Sequence, residues 1–254
     1  MIEKTFKADD DTSIYYRIFG EENKKTLLLI HGWITDGRCY EKLIPFLSKK
    51  FRLIVPDLRG FGKSEKKGPF VTSRMAKDMM ALYDIENVES VIGHSWGGLI
   101  SQIVAAFKKP SSLILISTFA KWSKPFYGWF LKRLLGLIET EKESFVERIS
   151  NIVYGSQIDP KTLEILKELD REILKESAED ILTYDNTNNL PVIDSKTLIV
   201  HGMNDRIVPV KHAYYLNERI KNSEMILFPN TTHNILSEKP ELLSSVIVGW
   251  IENL

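Results

Sequence analysis

Cysteine and metal-binding motifs are scarce in this chain. One cysteine, Cys39, occurs among 254 residues, so no internal disulfide can form, which fits a reducing compartment. The His-Glu-x-x-His and paired Cys-x-x-Cys motifs typical of zinc sites are absent from the sequence. We therefore expect no metal ion.

The chain also lacks an excess of charge and a long apolar run. Its 34 Lys and Arg residues balance 34 Asp and Glu residues, and no basic block interleaved with aromatic residues indicates a nucleic-acid surface. Residues 1–7 lack the apolar centre of a signal peptide, and no apolar run approaches the roughly 20 residues that span a bilayer. These absences predict a soluble, cytoplasmic protein that binds a small neutral molecule.

Nucleotide-binding motifs are incomplete as well. Gly62-Lys63-Ser64 resembles the end of a P-loop, but Asp57 stands where that motif requires its first glycine, and Glu65 to Pro69 do not continue as a helix. Gly60 and Gly62 lack the third glycine of a dinucleotide site. We therefore expect no nucleotide cofactor.

Apolar segments of strand length alternate with helical patterns along most of the chain. This alternation is typical of an α/β fold in which helices flank a mostly parallel central sheet. Residues 2–8 and 12–19 flank three aspartates and predict an antiparallel hairpin at one edge. The remaining predicted strands are 26–30, 52–55, 88–92, 113–117, 197–200 and 225–228, and the remaining predicted helices are 39–47, 72–83, 99–107 and 240–254.

The pattern changes over residues 119–189, where amphipathic helical stripes replace strands. We call this the cap segment and predict that it is a helical lid inserted into a core formed by 1–118 and 190–254. Its aromatic residues would roof an apolar pocket, and a helix lying in a membrane surface is the alternative interpretation of its first stripe. The first stripe is Phe126, Phe130, Leu134, Leu137 and Ile138, and the second is Leu163, Leu166, Leu169 and Ile173.

A Gly-x-Ser-x-Gly pattern, Gly93 to Gly97, joins a predicted strand to a predicted helix. Such a turn holds a serine on strained backbone at the top of a sheet, and its glycines let neighbouring backbone pass without a Cβ clash. A serine hydroxyl is a weak nucleophile at neutral pH and needs a base that is oriented by an acid. Ser95 is therefore a candidate nucleophile.

The candidate base and acid follow the last two predicted strands. His233 follows the strand 225–228, at the carboxyl edge where open α/β sheets bind their ligands. Asp205 follows the strand 197–200, whereas the loop after 113–117 contains no carboxylate. We therefore predict His233 as general base and Asp205 as the acid that orients it.

The predicted strand 26–30 ends in His31-Gly32-Trp33. A glycine after a buried strand lets the next backbone amide point at a ligand, and in acyl transfer that ligand is a developing oxyanion. The backbone N–H groups of Trp33 and Trp96 are the candidate donors, because Trp96 also opens a helix whose dipole favours negative charge. The side chains of His31 and His94 are expected to brace these loops, and the two indoles to pack.

These motifs resemble the α/β-hydrolase family. The resemblance includes Gly-His-Ser-Trp-Gly-Gly at 93–98, Asp-Leu-Arg-Gly-Phe-Gly-Lys-Ser at 57–64, His-Gly-Met-Asn-Asp-Arg-Ile-Val-Pro at 201–209, His-Gly-Trp at 31–33 and the late His233. The chain order of serine, aspartate and histidine is the one expected for that fold. The resemblance covers nearly the whole chain except the region from about 119 to 190.

The resemblance implies a serine hydrolase that cleaves a small hydrophobic carboxylic ester through an acyl-enzyme, without a cofactor. Related epoxide hydrolases and haloalkane dehalogenases also place a tryptophan after the nucleophile, but they use aspartate where this chain has Ser95. The alternatives left open are a thioester, the C–C bond of a diketone, a lactone, an N-terminal proline amide, cofactor-free perhydrolysis and a slow-turnover ligand receptor. A proline amidase would require acidic cap residues, for which Glu139, Glu141 and Glu143 are the candidates.

Overall fold

A computed structural model of the chain describes residues 1–122, 133, 135–153 and 160–253. Within these residues, 3₁₀-helices lie at Gly37–Tyr40 and Thr187–Val192. The strands are β1 (Ile2–Lys7), β2 (Ser13–Phe19), β3 (Thr26–Ile30), β4 (Arg52–Pro56), β5 (Ser90–His94), β6 (Ser112–Ile116), β7 (Lys196–Gly202) and β8 (Ser223–Phe228). The α-helices are α1 (Ile44–Leu47), α2 (Thr72–Ile85), α3 (Trp96–Lys108), α4 (Lys142–Val153), α5 (Pro160–Glu168), α6 (Arg171–Thr183), α7 (Lys211–Arg219), α8 (Ile235–Glu238) and α9 (Pro240–Glu252).

The strands form one sheet in the order β1-β2-β4-β3-β5-β6-β7-β8. The β1–β2 and β2–β4 pairs are antiparallel, and every pair from β4 to β8 is parallel. The α/β fold and the antiparallel hairpin at one edge are therefore confirmed. In a parallel sheet the carboxyl ends of neighbouring strands meet at one edge, so the loops after β5, β7 and β8 lie together.

Helices cover both faces of the sheet, which explains the continuous apolar runs of the central strands. Every residue of β3, β5 and β6 is buried, as expected for parallel strands covered on two sides. Met75 of α2 and Leu99 of α3 pack into the core on one face, and Leu47 of α1 and Ile247 of α9 pack into the core on the other. This packing provides a rigid platform beneath the carboxyl edge.

Two predicted helices differ from the structure because capping residues divide them. The predicted helix 39–47 is a 3₁₀ turn followed by the short α1, since Asp36 caps the turn and Pro45 begins a new helix. The second predicted cap stripe is shared by two helices, because Asp170 accepts hydrogen bonds from the backbone N–H groups of Glu172 and Ile173 and starts α6. In both cases a local cap outweighs the apolar spacing.

Between β6 and β7, the described part of the cap segment contains α4, α5, α6 and the second 3₁₀ turn. Ile149 of α4, Leu166 of α5 and Ile173 of α6 join the core cluster on the α2–α3 face of the sheet. The division into core and lid remains our proposal. Phe126, Phe130 and Leu134, which belong to the first predicted stripe, lie outside the described residues. No helix in the described ranges combines the length and hydrophobicity needed to cross a bilayer.

Candidate active site

Ser95 lies at the turn between β5 and α3 in a strained conformation, with φ 54° and ψ −119°. The flanking glycines explain how the chain tolerates this turn. A Cβ on Gly93 would lie 2.3 Å from the carbonyl oxygen of Gly97, and a Cβ on Gly97 would lie 2.1 Å from the carbonyl oxygen of Ile30. Both distances are shorter than any real contact, so this turn requires glycine at both positions.

The structure brings Ser95, His233 and Asp205 together, although they are far apart in sequence. The Nε2 atom of His233 lies 3.1 Å from the Ser95 hydroxyl oxygen. Its Nδ1 atom lies 2.7 Å from a carboxylate oxygen of Asp205. With Nδ1–H donating to the carboxylate, Nε2 is left as an acceptor facing the serine hydroxyl. The three side chains therefore have the geometry of a nucleophile, a base and an orienting acid.

The Asp205 carboxylate is ionised and held in place. Burial alone would raise the pKa of Asp205, but His233, His201 and backbone N–H donors outweigh burial and hold this pKa well below its usual range. The other carboxylate oxygen accepts hydrogen bonds from the backbone N–H groups of Ile207 at 2.9 Å and Val208 at 2.8 Å. A negative charge fixed in this orientation favours the tautomer of His233 that acts as a base.

His31 and His94 bind loop backbone. His31 Nε2 accepts a hydrogen bond from the Leu58 backbone N–H at 2.9 Å, and its Nδ1 donates to the Gly32 carbonyl at 2.7 Å. His94 Nε2 donates to the carbonyl of His233 at 3.1 Å. Burial lowers the pKa of His31 to about 4 and, with His233 beside it, that of His94 to about 3. Both are neutral braces at neutral pH, as the sequence predicted.

The backbone of the predicted oxyanion donors lies beside Ser95. A Cβ built on Gly32 would lie 3.2 Å from the Cβ of Ser95, so the loop carrying Trp33 passes close to the serine. Trp96 is the first residue of α3, where backbone N–H groups have no partner within the helix. Both residues therefore lie beside Ser95, and their role as oxyanion donors remains a proposal.

The indoles of these two tryptophans do more than pack. Trp33 Nε1 donates to the Ser177 hydroxyl at 2.8 Å, and Trp96 Nε1 donates to the Thr72 hydroxyl at 2.9 Å. Sequence reasoning missed both partners, because no motif indicates them. Ser177 lies more than 100 positions from Trp33, and Thr72 lies on a different helix from Trp96. These bonds tie both candidate donors to other elements of the fold.

A cavity of about 1100 Å³ lies over Ser95 and His233. The core contributes Trp33 and Ile207 to its wall, and the cap segment contributes side chains from α4, α5 and α6. Glu139, Glu141 and Glu143 are exposed and are not among the lining residues. The described apolar lining from the cap segment includes Trp122, Ile149, Ile152, Ile165, Ile181 and Leu182.

The described lining of the cavity contains more basic than acidic side chains, which the zero net charge of the chain does not indicate. Among the described lining residues, one is acidic, Glu41, and it pairs with Lys161. Arg38 pairs with Asp36 at 2.8 Å and with Glu168. The cavity therefore combines an apolar wall with a group of cations, which are Arg38, Lys42, Arg133, Arg148 and Lys161.

Comparison with known proteins identifies the family. A family model described as the alpha/beta hydrolase fold matches residues 25–240. The uncharacterised hydrolase YugF of Bacillus subtilis is 28% identical, with 96% of each chain covered. A pimeloyl-[acyl-carrier protein] methyl ester esterase of Aliivibrio fischeri is 26% identical over 92% of this chain and 96% of the relative. An esterase structure from Exiguobacterium antarcticum superposes with a TM-score of 0.90 at 21% identity, covering 99% of this chain and 100% of that one. The chain therefore belongs to the α/β-hydrolase fold family, as its motifs predicted.

Proposed function

We propose that this protein is a serine hydrolase that cleaves a small hydrophobic carboxylic ester through an acyl-enzyme. The observation that carries the proposal is the continuous hydrogen-bonded series Ser95–His233–Asp205 beneath an apolar cavity. A hydroxyl beside a neutral imidazole that is oriented by a buried carboxylate is the arrangement that activates serine for attack on a carbonyl. The family relatives include named esterases, which supports ester chemistry.

In the first half of the reaction, the Ser95 oxygen attacks the ester carbonyl carbon while His233 Nε2 takes the hydroxyl proton. The carbonyl oxygen becomes an oxyanion and accepts hydrogen bonds from the backbone N–H groups of Trp33 and Trp96. As the C–O bond to the leaving alcohol breaks, His233 transfers its proton to that oxygen. This leaves the acyl group esterified to Ser95.

Water completes the cycle by the reverse sequence of proton transfers. His233 takes a proton from a water molecule whose oxygen attacks the acyl carbon, and the oxyanion forms again in the same place. Collapse of this intermediate breaks the bond to Ser95, which recovers its proton from His233. The carboxylic acid leaves, and the enzyme returns to its starting protonation state.

The cavity supports a hydrophobic acyl or alcohol group, because side chains such as Phe119, Ile165 and Ile181 line it. It gives less support to release of N-terminal proline, since Glu139, Glu141 and Glu143 point to solvent and do not line the cavity. Thioesters, lactones and diketones need the same triad and oxyanion site. Activity measurements on each of these substrates therefore distinguish them from simple esters.

A second substrate class within the same chemistry is an ester with an anionic end. The excess of basic over acidic side chains among the described lining residues supports this class, since Lys42 and Arg148 line the cavity. A relative at 26% identity is named for a methyl ester of an acyl group carried on acyl-carrier protein. The test compares two methyl esters of equal chain length, the half-ester of a straight-chain dicarboxylic acid and the ester of a monocarboxylic acid. If the substrate has an anionic end, kcat/KM will be higher for the half-ester.

The main test is hydrolysis of p-nitrophenyl esters of increasing acyl length, measured in wild type and Ser95→Ala. We expect turnover that depends on Ser95 and is highest at one chain length, because the cavity has a finite depth. Normal turnover in a folded Ser95→Ala variant would refute the proposal. Labelling of Ser95 by a fluorophosphonate without ester turnover would shift the proposal to the other bond types. One-to-one acylation without further turnover would instead favour the receptor alternative.

A further inference from the structure

Helix α6 lies between the cavity and the core of the hydrolase fold. One part of its surface lines the cavity through Ala178, Ile181 and Leu182. Two polar side chains of the same helix, Ser177 and Asp180, bind residues outside the cap segment. The helix therefore contacts both the space for the substrate and the elements that surround Ser95.

Ser177 connects α6 to the first candidate oxyanion donor. Its hydroxyl is fully buried and donates to the Ile173 carbonyl at 2.6 Å, so its oxygen remains available to accept the Trp33 Nε1–H at 2.8 Å. The same residue, Trp33, carries the backbone N–H that faces the oxyanion in our proposed function. A hydrogen bond on its side chain thus restrains rotation of that residue relative to Ser95.

Asp180 connects α6 to the second donor through Thr72. Thr72 is the first residue of α2, and the N-cap residue Val71 makes no side-chain capping bond. Asp180 accepts from the Thr72 backbone N–H at 2.6 Å and so caps α2 from another helix. The Thr72 hydroxyl in turn accepts the Nε1–H of Trp96 at 2.9 Å. Trp96 is therefore held by α6 through one intermediate residue.

These bonds have a physical reason to be strong and specific. Trp96 has no exposed surface, and a buried indole N–H without a partner costs free energy comparable to a lost hydrogen bond. Backbone donors stabilise an oxyanion only when they are already oriented before charge develops. Anchoring both tryptophans to one helix supplies that orientation from the cap segment.

We propose that helix α6 orients the oxyanion hole, with Ser177 as a positioning residue for Trp33 and Asp180 as a positioning residue for Trp96 through Thr72. This inference rests on the proposed function, because it takes the backbone N–H groups of Trp33 and Trp96 as the oxyanion donors. It also predicts that the cap segment contributes to the chemical step as well as to substrate binding.

The test removes the Ser177–Trp33 bond from either side, with Ser177→Ala, Trp33→Phe and the double variant assayed on one p-nitrophenyl ester. We expect kcat to fall about tenfold in each single variant, with KM nearly unchanged in Ser177→Ala, because the lost orientation matters mainly when the oxyanion forms. Removing a donor outright costs about 10²–10³ in kcat, and a displaced donor costs less. The double variant should lose about tenfold rather than a hundredfold, since both changes remove the same bond.

Two further comparisons separate positioning from general damage to the helix. Thr183→Ala is the matched control for Ser177→Ala, because the Thr183 hydroxyl also donates to the carbonyl four residues earlier on α6, at 2.8 Å, but is exposed. We expect wild-type kcat in that variant. Asp180→Ala should lower kcat, whereas Asp180→Asn retains an oxygen that accepts from Thr72 and should restore most of it.

Each outcome has a defined meaning. An unchanged kcat in folded Ser177→Ala, an equal loss in Thr183→Ala, or a hundredfold loss in the double variant would overturn the positioning role while leaving Ser95-dependent hydrolysis intact. If Ser177→Ala does not fold, Trp33→Phe and the Asp180 pair test the same inference. If wild type neither hydrolyses the esters nor reacts with a fluorophosphonate at Ser95, the proposed function fails, and this inference fails with it.

Discussion

Replacing Asp205 by asparagine tests the triad at its least exposed member. One carboxylate oxygen of Asp205 accepts from two backbone N–H groups, of Ile207 and Val208, and the other accepts from His233 Nδ1 at 2.7 Å. Asparagine has one acceptor oxygen and one NH₂ donor. Because the two backbone donors are fixed at 2.9 and 2.8 Å from their acceptor oxygen, the amide oxygen will face the backbone and the NH₂ group will face His233.

This orientation has a direct chemical consequence. A donor facing Nδ1 requires Nδ1 to be an acceptor, so the proton of the neutral imidazole moves to Nε2. His233 then has no lone pair for the Ser95 proton. A tautomer error of this kind lowers kcat by about 10⁴-fold, or roughly 5.5 kcal/mol of transition-state stabilisation. We expect that loss in kcat/KM, with geometry and fold retained.

The assay is the pH profile of kcat/KM on the best p-nitrophenyl ester, with thermal unfolding to verify the fold. Asp185→Asn is the control, because the Asp185 carboxylate also accepts from a backbone N–H and a hydroxyl, both of Thr187, but is exposed and does not line the cavity. It should keep wild-type activity. A loss of less than tenfold in Asp205→Asn would refute the role assigned to Asp205.

Two further predictions concern stability. Gly97→Ala should destabilise the protein by at least the roughly 1–3 kcal/mol typical of overpacking, because its Cβ would lie 2.1 Å from the Ile30 carbonyl oxygen. Gly249→Ala in α9, where a Cβ meets nothing within 4 Å, should instead stabilise the protein by about 0.5–1 kcal/mol. Urea unfolding measures both changes. Equal midpoints for the two variants would contradict the packing argument. Acid should also destabilise the protein, since burial lowers the pKa of His31 from 6.5 to about 4. Below pH 6.5 the His31 side chain binds a proton in the unfolded chain but not in the folded protein. The free energy of unfolding should therefore fall between pH 6.5 and pH 4, by about 3 kcal/mol from His31 alone. Urea unfolding of wild type and His31→Gln from pH 7.5 to 4.5 checks this, and an equally steep decline in both would show that His31 does not contribute.

Much of the fold and the site could be predicted from the sequence because both depend on local patterns. The buried strands carry continuous apolar runs, and Gly93 and Gly97 mark a turn that no other residue fits. The positions of Asp205 and His233 followed from one rule, that the carboxyl ends of parallel strands share an edge. The catalytic roles themselves remain predictions until the variants are measured.

The predictions that failed or were missed involve contacts between distant residues or competition between local signals. The helix predicted over 39–47 is interrupted because Asp36 and Pro45 outweigh the apolar spacing. The bonds from Trp33 to Ser177 and from Thr72 to Asp180 join residues 144 and 108 positions apart. Hydrogen-bond partners at such separations have no periodicity or motif, because they are chosen by how the cap segment packs on the core.

By itself, therefore, the sequence determined the α/β architecture, the strained turn at Ser95 and the order of the three candidate catalytic residues, since each follows from residue type, spacing and chain direction. Only the tertiary structure decided which side chains orient Trp33 and Trp96 and which line the cavity. It also brought Arg38, Lys42 and Arg148 to the lining of that cavity, although the chain has no net charge. The physical reason is that orientation and local charge depend on which distant surfaces are brought into contact when the chain folds.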